Sequence, residues 1–197
     1  AATANGAASG VNFNLTNFAC PAITVTPATL PQGTAGAAYN QSVVASGGTE
    51  PYQFSATGLP MGLTMAASGT ITGTPTQTGD FTVNVTVTDH NGCPGSGILT
   101  LNIVCPAIGV TPATLPQGTT NTSYDQSVTA TGGTAPYSYS WNTSTPTIGN
   151  TLSGVTAGTY TVSVTDANGC STTTNVTISQ PALEIFTYVE SYQHESC

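Results

Sequence analysis

Residues 20–33 read CPAITVTPATLPQG, and the same stretch returns at 105–118 as CPAIGVTPATLPQG. Extended in register to Tyr52 and Tyr137, the two copies are identical at 24 of 33 positions. Their offset of 85 residues is too long for one unit of a solenoid and is typical of a small all-β domain. The chain is therefore predicted to contain two tandem domains, each with its own core.

The composition favours strands and tight turns. The 197 residues include 22 Gly and 13 Pro, and long helix-forming side chains are scarce. The stretch DFTVNVTVTD at 80–89 alternates apolar and polar residues, which predicts a strand with one buried and one wet face. Asn91-Gly92 and Asn168-Gly169 are typical hairpin turns. These patterns predict an all-β chain with essentially no α-helix.

The repeat divides the chain into four parts. We expect an N-terminal arm over 1–19, a first domain over 20–104, a second domain over 105–181 and a C-terminal strand or tail over 182–197. Trp141, which has no counterpart in the first copy, is expected to be a core aromatic of the second domain.

The charge inventory excludes several partners. Lys and Arg are absent, while Asp and Glu total 8. A chain without cationic side chains has no phosphate clamp and no polybasic face, so nucleic acid and anionic membrane surfaces are not expected as partners. Cross-links that need lysine are excluded. No apolar run reaches the roughly 18 residues that cross a bilayer, so membrane insertion is not expected.

Four of the five cysteines recur at equivalent places. Cys20 and Cys105 open the two copies, while Cys93 and Cys170 each follow an Asn-Gly turn. This recurrence predicts the disulfides Cys20–Cys93 and Cys105–Cys170 and an oxidising compartment. Metal binding is the alternative, but no C-x-x-C is present and the two histidines belong to no repeated cluster. Cys197 is left over.

The first copy carries five recognisable motifs: LPQGT at 30–34, GGTEPY at 47–52, GLPMGL at 58–63, GTITGTP at 69–75 and TVTD at 86–89. Through these motifs it resembles the bacterial Ig-like, cadherin-like repeat of large surface adhesins. Residues 132–181 resemble the SprB-type repeat of gliding adhesins, through PYSYSW at 136–141 and AGTYTVSVTDANGC at 157–170. The resemblance implies two tandem immunoglobulin-like β-sandwiches in an extracellular, cell-surface protein, and the sequence pattern described below adds extra strands at both termini.

No residue is predicted to be catalytic, to ligate a metal or to bind a cofactor, and the chain is not expected to be an enzyme. His90 lies in a hairpin turn where the second copy has Ala167. Asp89 and Asp166 each supply one carboxylate near a turn, too few for a calcium site, and are expected to hydrogen-bond their own turns.

Six sequons mark candidate glycosylation sites, typical of an exposed extracellular surface. They are Asn14, Asn40, Asn84, Asn121, Asn142 and Asn175.

Both ends of the chain carry strand-like segments outside the two domains. Residues 9–20, SGVNFNLTNFAC, alternate like SGILTLNIVC at 96–105, which precedes the second copy. The tail LEIFTYVES at 183–191 alternates again. Unpaired strands at both ends favour either a window of a longer tandem array or pairing between subunits. The candidate intersubunit residues are Val11, Phe13, Leu15, Ile185, Tyr188 and Cys197.

The sequence thus predicts an extracellular structural protein, the repeating subunit of a filament assembled head-to-tail as a homopolymer. An adhesin module that binds carbohydrate or a surface is the alternative.

Overall fold

The computed structural model describes residues 19–118, 123–143 and 147–179. This part of the chain contains strands, turns and loops, and no helix. It divides into two compact units, each built around one copy of the repeat: within the described residues, 19–33, 38–74 and 79–102 form the first, and the rest form the second.

The first copy is an immunoglobulin-like β-sandwich. Its sheets have the strand orders β2-β9-β8-β5 and β3-β7-β6, and β1 pairs separately with β4. The strands are β1 (Thr24–Thr26), β2 (Gly33–Thr34), β3 (Tyr39–Ser42), β4 (Val44–Ser46), β5 (Gln53–Thr57), β6 (Leu63–Met65), β7 (Thr70–Gly73), β8 (Gly79–Thr88) and β9 (Pro94–Val104).

Strand β8 shows why this sequence forms a sandwich. Val83, Val85 and Val87 are at most 1% exposed, whereas the Thr and Asn residues between them face solvent. The period of two in side-chain direction places every second residue in the core. Leu99 and Leu101 on β9 complete the same buried layer.

The second copy is also an immunoglobulin-like sandwich. Its main sheet has the order β14-β13-β16-β17, accompanied by the pairs β11-β15 and β10-β12. The strands are β10 (Gly109–Thr111), β11 (Asp125–Ser127), β12 (Thr129–Thr131), β13 (Ser138–Trp141), β14 (Thr147–Ile148), β15 (Thr151–Ser153), β16 (Gly158–Thr165) and β17 (Ser171–Ile178).

Trp141 belongs to the core of this second sandwich, as its sequence position suggests. It is 3% exposed and clusters with Leu152, Val162, Val164 and Val176. Its indole N–H donates to the Gly149 carbonyl at 2.9 Å, so the polar end of the ring is satisfied where it is buried.

One disulfide closes each sandwich. Cys20 pairs with Cys93, and Cys105 pairs with Cys170, with Cα–Cα distances of 5.3 and 5.5 Å. Both pairs are those that the repeat predicts. They join the start of each copy to the hairpin that precedes its last strand.

Candidate functional site

A buried carboxylate ties two turns together at the disulfide end of the first sandwich. Asp89 is 5% exposed, and its Oδ1 accepts the backbone N–H groups of Asn91 at 2.9 Å and Cys93 at 2.8 Å. Its Oδ2 accepts the N–H of Thr49, 40 residues earlier, at 2.9 Å. The Asn91 side-chain amide donates in turn to the Thr49 hydroxyl at 3.0 Å. We call this set of contacts the aspartate latch.

Hydrogen bonding keeps the latch carboxylate charged. Burial by itself raises the pKa of Asp89, but the three backbone N–H donors and the neighbouring His90 together lower the pKa below its usual value. Both oxygens already have partners, so the latch acts as a structural tie rather than an open metal site.

The second sandwich repeats the latch with the same partners. Asp166 accepts the N–H groups of Asn168 and Cys170, both at 2.9 Å, and that of Thr134 at 3.0 Å. The Asn168 amide donates to the Thr134 hydroxyl at 3.0 Å. The expectation that each Asp bonds its own turn is therefore correct but incomplete, because it misses the distant threonine.

The glycines of the GGT motif are explained by this packing. A Cβ on Gly47, whose φ is +86°, would come within 2.2 Å of the Ala22 carbonyl oxygen. A Cβ on Gly48 would meet the Asp89 carboxylate at 2.7 Å. The recurrence of GGT together with TD-x-NGC in both copies was the signal in the sequence that could have revealed the latch.

The outer edge of the main sheet differs between the two sandwiches. In the first, the segment 28–34 runs along β9: the Leu30 N–H donates to the Thr100 carbonyl at 2.8 Å, and the Thr100 N–H donates to the Ala28 carbonyl at 2.9 Å. Strand β2 continues this pairing. The edge of β9 is therefore covered by the chain's own backbone.

In the second sandwich the same sequence, ATLPQG at 113–118, leaves that edge uncovered. Leu115 is still buried, and the Tyr124 hydroxyl still donates to the Pro116 carbonyl at 3.0 Å. Within the described ranges, however, no backbone hydrogen bond joins 113–118 to β17, and the sheet ends at that strand. The unpaired N–H and C=O groups of an edge strand are a template for another strand.

The outer face of the second sandwich's main sheet is uncharged and carries side-chain hydroxyls and one amide. Cross-strand neighbours include Ser140 with Ser163, and Thr161 with Asn175. The Thr161 hydroxyl donates to the Asn175 side-chain carbonyl at 2.8 Å. The Thr159 and Thr177 hydroxyls lie 3.3 Å apart on the same two strands, so neighbouring side chains of this face pair with each other.

Four candidate glycosylation sites are exposed: Asn40, Asn84, Asn142 and Asn175. The side-chain carbonyl of Asn142 accepts the Thr161 N–H at 2.6 Å. Asn14 and Asn121 lie outside the described residues. Exposure leaves these four accessible, and their modification stays a prediction.

A shallow open depression lies on the first sandwich, where β5 begins. It measures about 450 Å³ and is lined by Glu50, Pro51, Tyr52, Phe54 and Ser68. The Tyr52 and Phe54 rings meet edge to face, with centroids 6.3 Å apart. Phe54 is buried, and the Tyr52 hydroxyl donates to the Gly47 carbonyl at 2.6 Å. The sequence patterns did not single out this depression.

The predicted intersubunit residues lie outside the described residues. They are Val11, Phe13, Leu15, Ile185, Tyr188 and Cys197, and both terminal strands therefore stay predictions.

In residues 19–118, 123–143 and 147–179, no three His, Cys, Asp or Glu side chains are placed to share a metal ion. The same ranges hold no helix with the length and apolarity needed to cross a bilayer.

The first sandwich matches a known protein family. Residues 21–104 match the family described as "Putative Ig domain", in agreement with the Ig-like resemblance of that stretch. No curated protein matches the chain.

Several solved structures are similar in fold. The chain is 24% identical to a "putative alpha-galactosidase" of Bacteroides fragilis, with a TM-score of 0.38 over 43% of this chain and 18% of that one. It is 14% identical to the four N-terminal Ig domains of Dscam1, with a TM-score of 0.37 over 83% and 47%. The N-terminal domains of the bacteriophage RB49 outer capsid protein Hoc give 15% identity and a TM-score of 0.34 over 81% and 59%. The chain spans less than a fifth of the alpha-galactosidase.

Proposed function

We propose that this protein is an extracellular structural protein, the repeating subunit of a cell-surface filament that assembles head-to-tail by β-strand complementation. The observation that carries the proposal is that no other described strand or segment pairs with the outer edge of β17. A strand from a second copy would satisfy its backbone groups in the way that 28–34 satisfies β9.

The donor we assign to this edge is the segment 9–19 of a neighbouring copy. It alternates at Val11, Phe13 and Leu15, and its sequence resembles that of β9. Ile185 and Tyr188 belong to the second alternating segment, which follows β17 in the chain and would extend the same joint. Such a contact uses different surfaces on the two partners, so it propagates as a filament when its rotation does not close a ring.

An extracellular location is supported by two independent features. The disulfides close loops of 73 and 65 residues, and structural disulfides persist mainly in oxidising compartments. The absence of Lys and Arg leaves trypsin-like proteases without a cleavage site, which suits a fibre outside the cell. The SprB-type resemblance of 132–181 points to the same setting.

Deleting residues 1–19 tests the donor. The truncated chain should keep both disulfides and both unfolding transitions but form no fibres in electron micrographs, whereas the full chain forms them. Fibres of normal length from the truncated chain, or monodisperse rods from the full chain, would defeat the filament proposal.

A substitution at Thr177 tests the acceptor edge. Thr177 occupies the repeat position of Thr100, whose N–H and C=O both point away from β8. Thr177→Pro should remove the N–H that a donor needs while leaving the pairing with β16 intact. The matched control is Thr177→Ser, which keeps the N–H and should still assemble. Equal assembly by both variants would exclude β17 as the acceptor.

A second function, an adhesin module that binds carbohydrate, is favoured by a different observation. The depression at β5 presents a fixed aromatic ring beside a free carboxylate, and ligand sites combine apolar walls with a few placed polar groups.

A further inference from the structure

Glu50 is a carboxylate without a partner at the rim of the depression. It is exposed, and no hydrogen bond or ion pair joins its side chain to any other described residue. Because the chain contains no Lys or Arg, a neighbouring copy of this protein cannot supply a Lys or Arg side chain to pair with Glu50. Any Lys or Arg partner, or other permanent cation, must come from a different molecule.

The aromatic wall beside Glu50 is fixed before any ligand arrives. The Tyr52 hydroxyl is bonded to the Gly47 carbonyl, and the buried Phe54 ring meets Tyr52 edge to face. Pro51 extends the apolar wall. A ring held in place loses little conformational entropy on binding, which favours even a shallow site.

We propose that this depression binds a cationic amino sugar, that is, a hexosamine whose amine is free and protonated. This inference rests on the second proposed function and names its ligand class. The apolar face of the sugar ring would lie against Tyr52 and Pro51, and the ammonium group would lie beside the Glu50 carboxylate.

Size and charge both favour this ligand. The depression is shallow and open, so its volume of about 450 Å³ gives room for one sugar ring to lie against its wall without being enclosed. The net charge of −8 attracts cationic ligands over a distance set by the ionic strength. A neutral sugar could donate its hydroxyl groups to the carboxylate but would gain no attraction between opposite charges.

The second sandwich supplies an internal contrast. Its equivalent stretch reads Ala135-Pro136-Tyr137, with Tyr139 in the place of Phe54. It keeps the proline and the tyrosine but lacks the carboxylate. The amino sugar should therefore bind the first sandwich more tightly than the second.

The test is titration of the full-length protein with a short, fully deacetylated glucosamine oligomer, followed by calorimetry and by NMR of the aromatic rings. Binding should shift the Tyr52 and Phe54 resonances, and the fully N-acetylated oligomer should bind about fivefold more weakly, because it lacks the ammonium group. Glu50→Gln should weaken binding by about fivefold, the upper range for an exposed charge pair. The matched control is Asp125→Asn, which removes an equal charge from an exposed position on the second sandwich and should bind like the parent.

Three results would overturn the proposal. Equal weakening by Glu50→Gln and Asp125→Asn would show that binding depends on net charge alone. Equal binding of the acetylated oligomer would remove the ammonium requirement, although the adhesin function would survive. Equally tight, Glu50-dependent binding of a short lysine peptide would show a general ammonium site rather than a sugar site.

Discussion

The two sandwiches are built in the same way at the disulfide end, and they differ in the middle and at one edge of the main sheet. Each has the same disulfide and the same aspartate latch, with matching distances. In the middle of each copy the sequences differ. The first sandwich uses GLPMGLTM to form β6, whereas the second lacks that stretch and instead adds β14 to its main sheet. A latch of directed hydrogen bonds tolerates few residue types, while a core strand needs only apolar residues with the right period.

Removing the disulfides should give the largest loss in the free energy of unfolding. It tests whether the disulfide end contributes equally to the stability of the two sandwiches. Replacing Cys20 and Cys93 by Ser should destabilise the first sandwich by about 4 kcal/mol, and replacing Cys105 and Cys170 should do the same to the second. The loops of 73 and 65 residues are so similar that loop length alone separates the two losses by less than about 0.2 kcal/mol.

Denaturant unfolding of each double variant measures these losses, with the untouched sandwich in the same molecule as control. A loss of under about 1 kcal/mol in one copy and the full value in the other would break the equivalence.

The structure of the disulfide end was largely predictable from the sequence, because residues that recur together in both copies indicate a common structural role. Alternation predicted the strands, and the four recurring cysteines predicted both pairs. The third partner of the latch was not predictable from local turn chemistry. Thr49 is 40 residues from Asp89, and only the sandwich brings the two turns together.

The latch gives the second prediction, which concerns pH. Asp89→Asn should lower the unfolding midpoint of the first sandwich at neutral pH, because an amide cannot accept all three N–H groups. The folded-state pKa of Asp89 lies below its unfolded value, so the carboxylate's contribution is complete above about pH 4 and is lost as the pH falls through the folded-state pKa. The gap between the parent and Asp89→Asn should therefore narrow in acid.

Thermal melts from neutral to acidic pH measure this gap. Asp166→Asn should shift only the second sandwich at neutral pH, and Asp125→Asn, outside either latch, should shift neither. A gap for Asp89→Asn that widens as the pH falls would contradict the assignment of a stabilising charged carboxylate.

The differing edge could not be predicted. The stretches ATLPQG at 28–33 and 113–118 are identical in sequence, yet only the first pairs with the last strand of its sheet. The residues that follow differ, TAGAAY in the first copy and TTNTSY in the second, so the identical stretch does not decide the pairing by itself. The depression at Glu50 escaped prediction for a related reason, because Ser68 joins it from a turn distant in sequence.

The smallest expected effect concerns the core of the second sandwich, where Trp141 replaces Ala56 of the first. Trp141→Phe keeps an aromatic ring against Val162 and Leu152 but removes the N–H that donates to the Gly149 carbonyl. The lost hydrogen bond and the smaller ring should together cost about 1–2 kcal/mol.

The matched control is Tyr52→Phe in the first sandwich, which also deletes one donor to a glycine carbonyl, but at an exposed site. It should cost less because water can replace the lost hydrogen bond. Denaturant unfolding measures the loss of unfolding free energy in each variant. Equal losses would show that burying the Trp141 hydrogen bond adds nothing to its contribution.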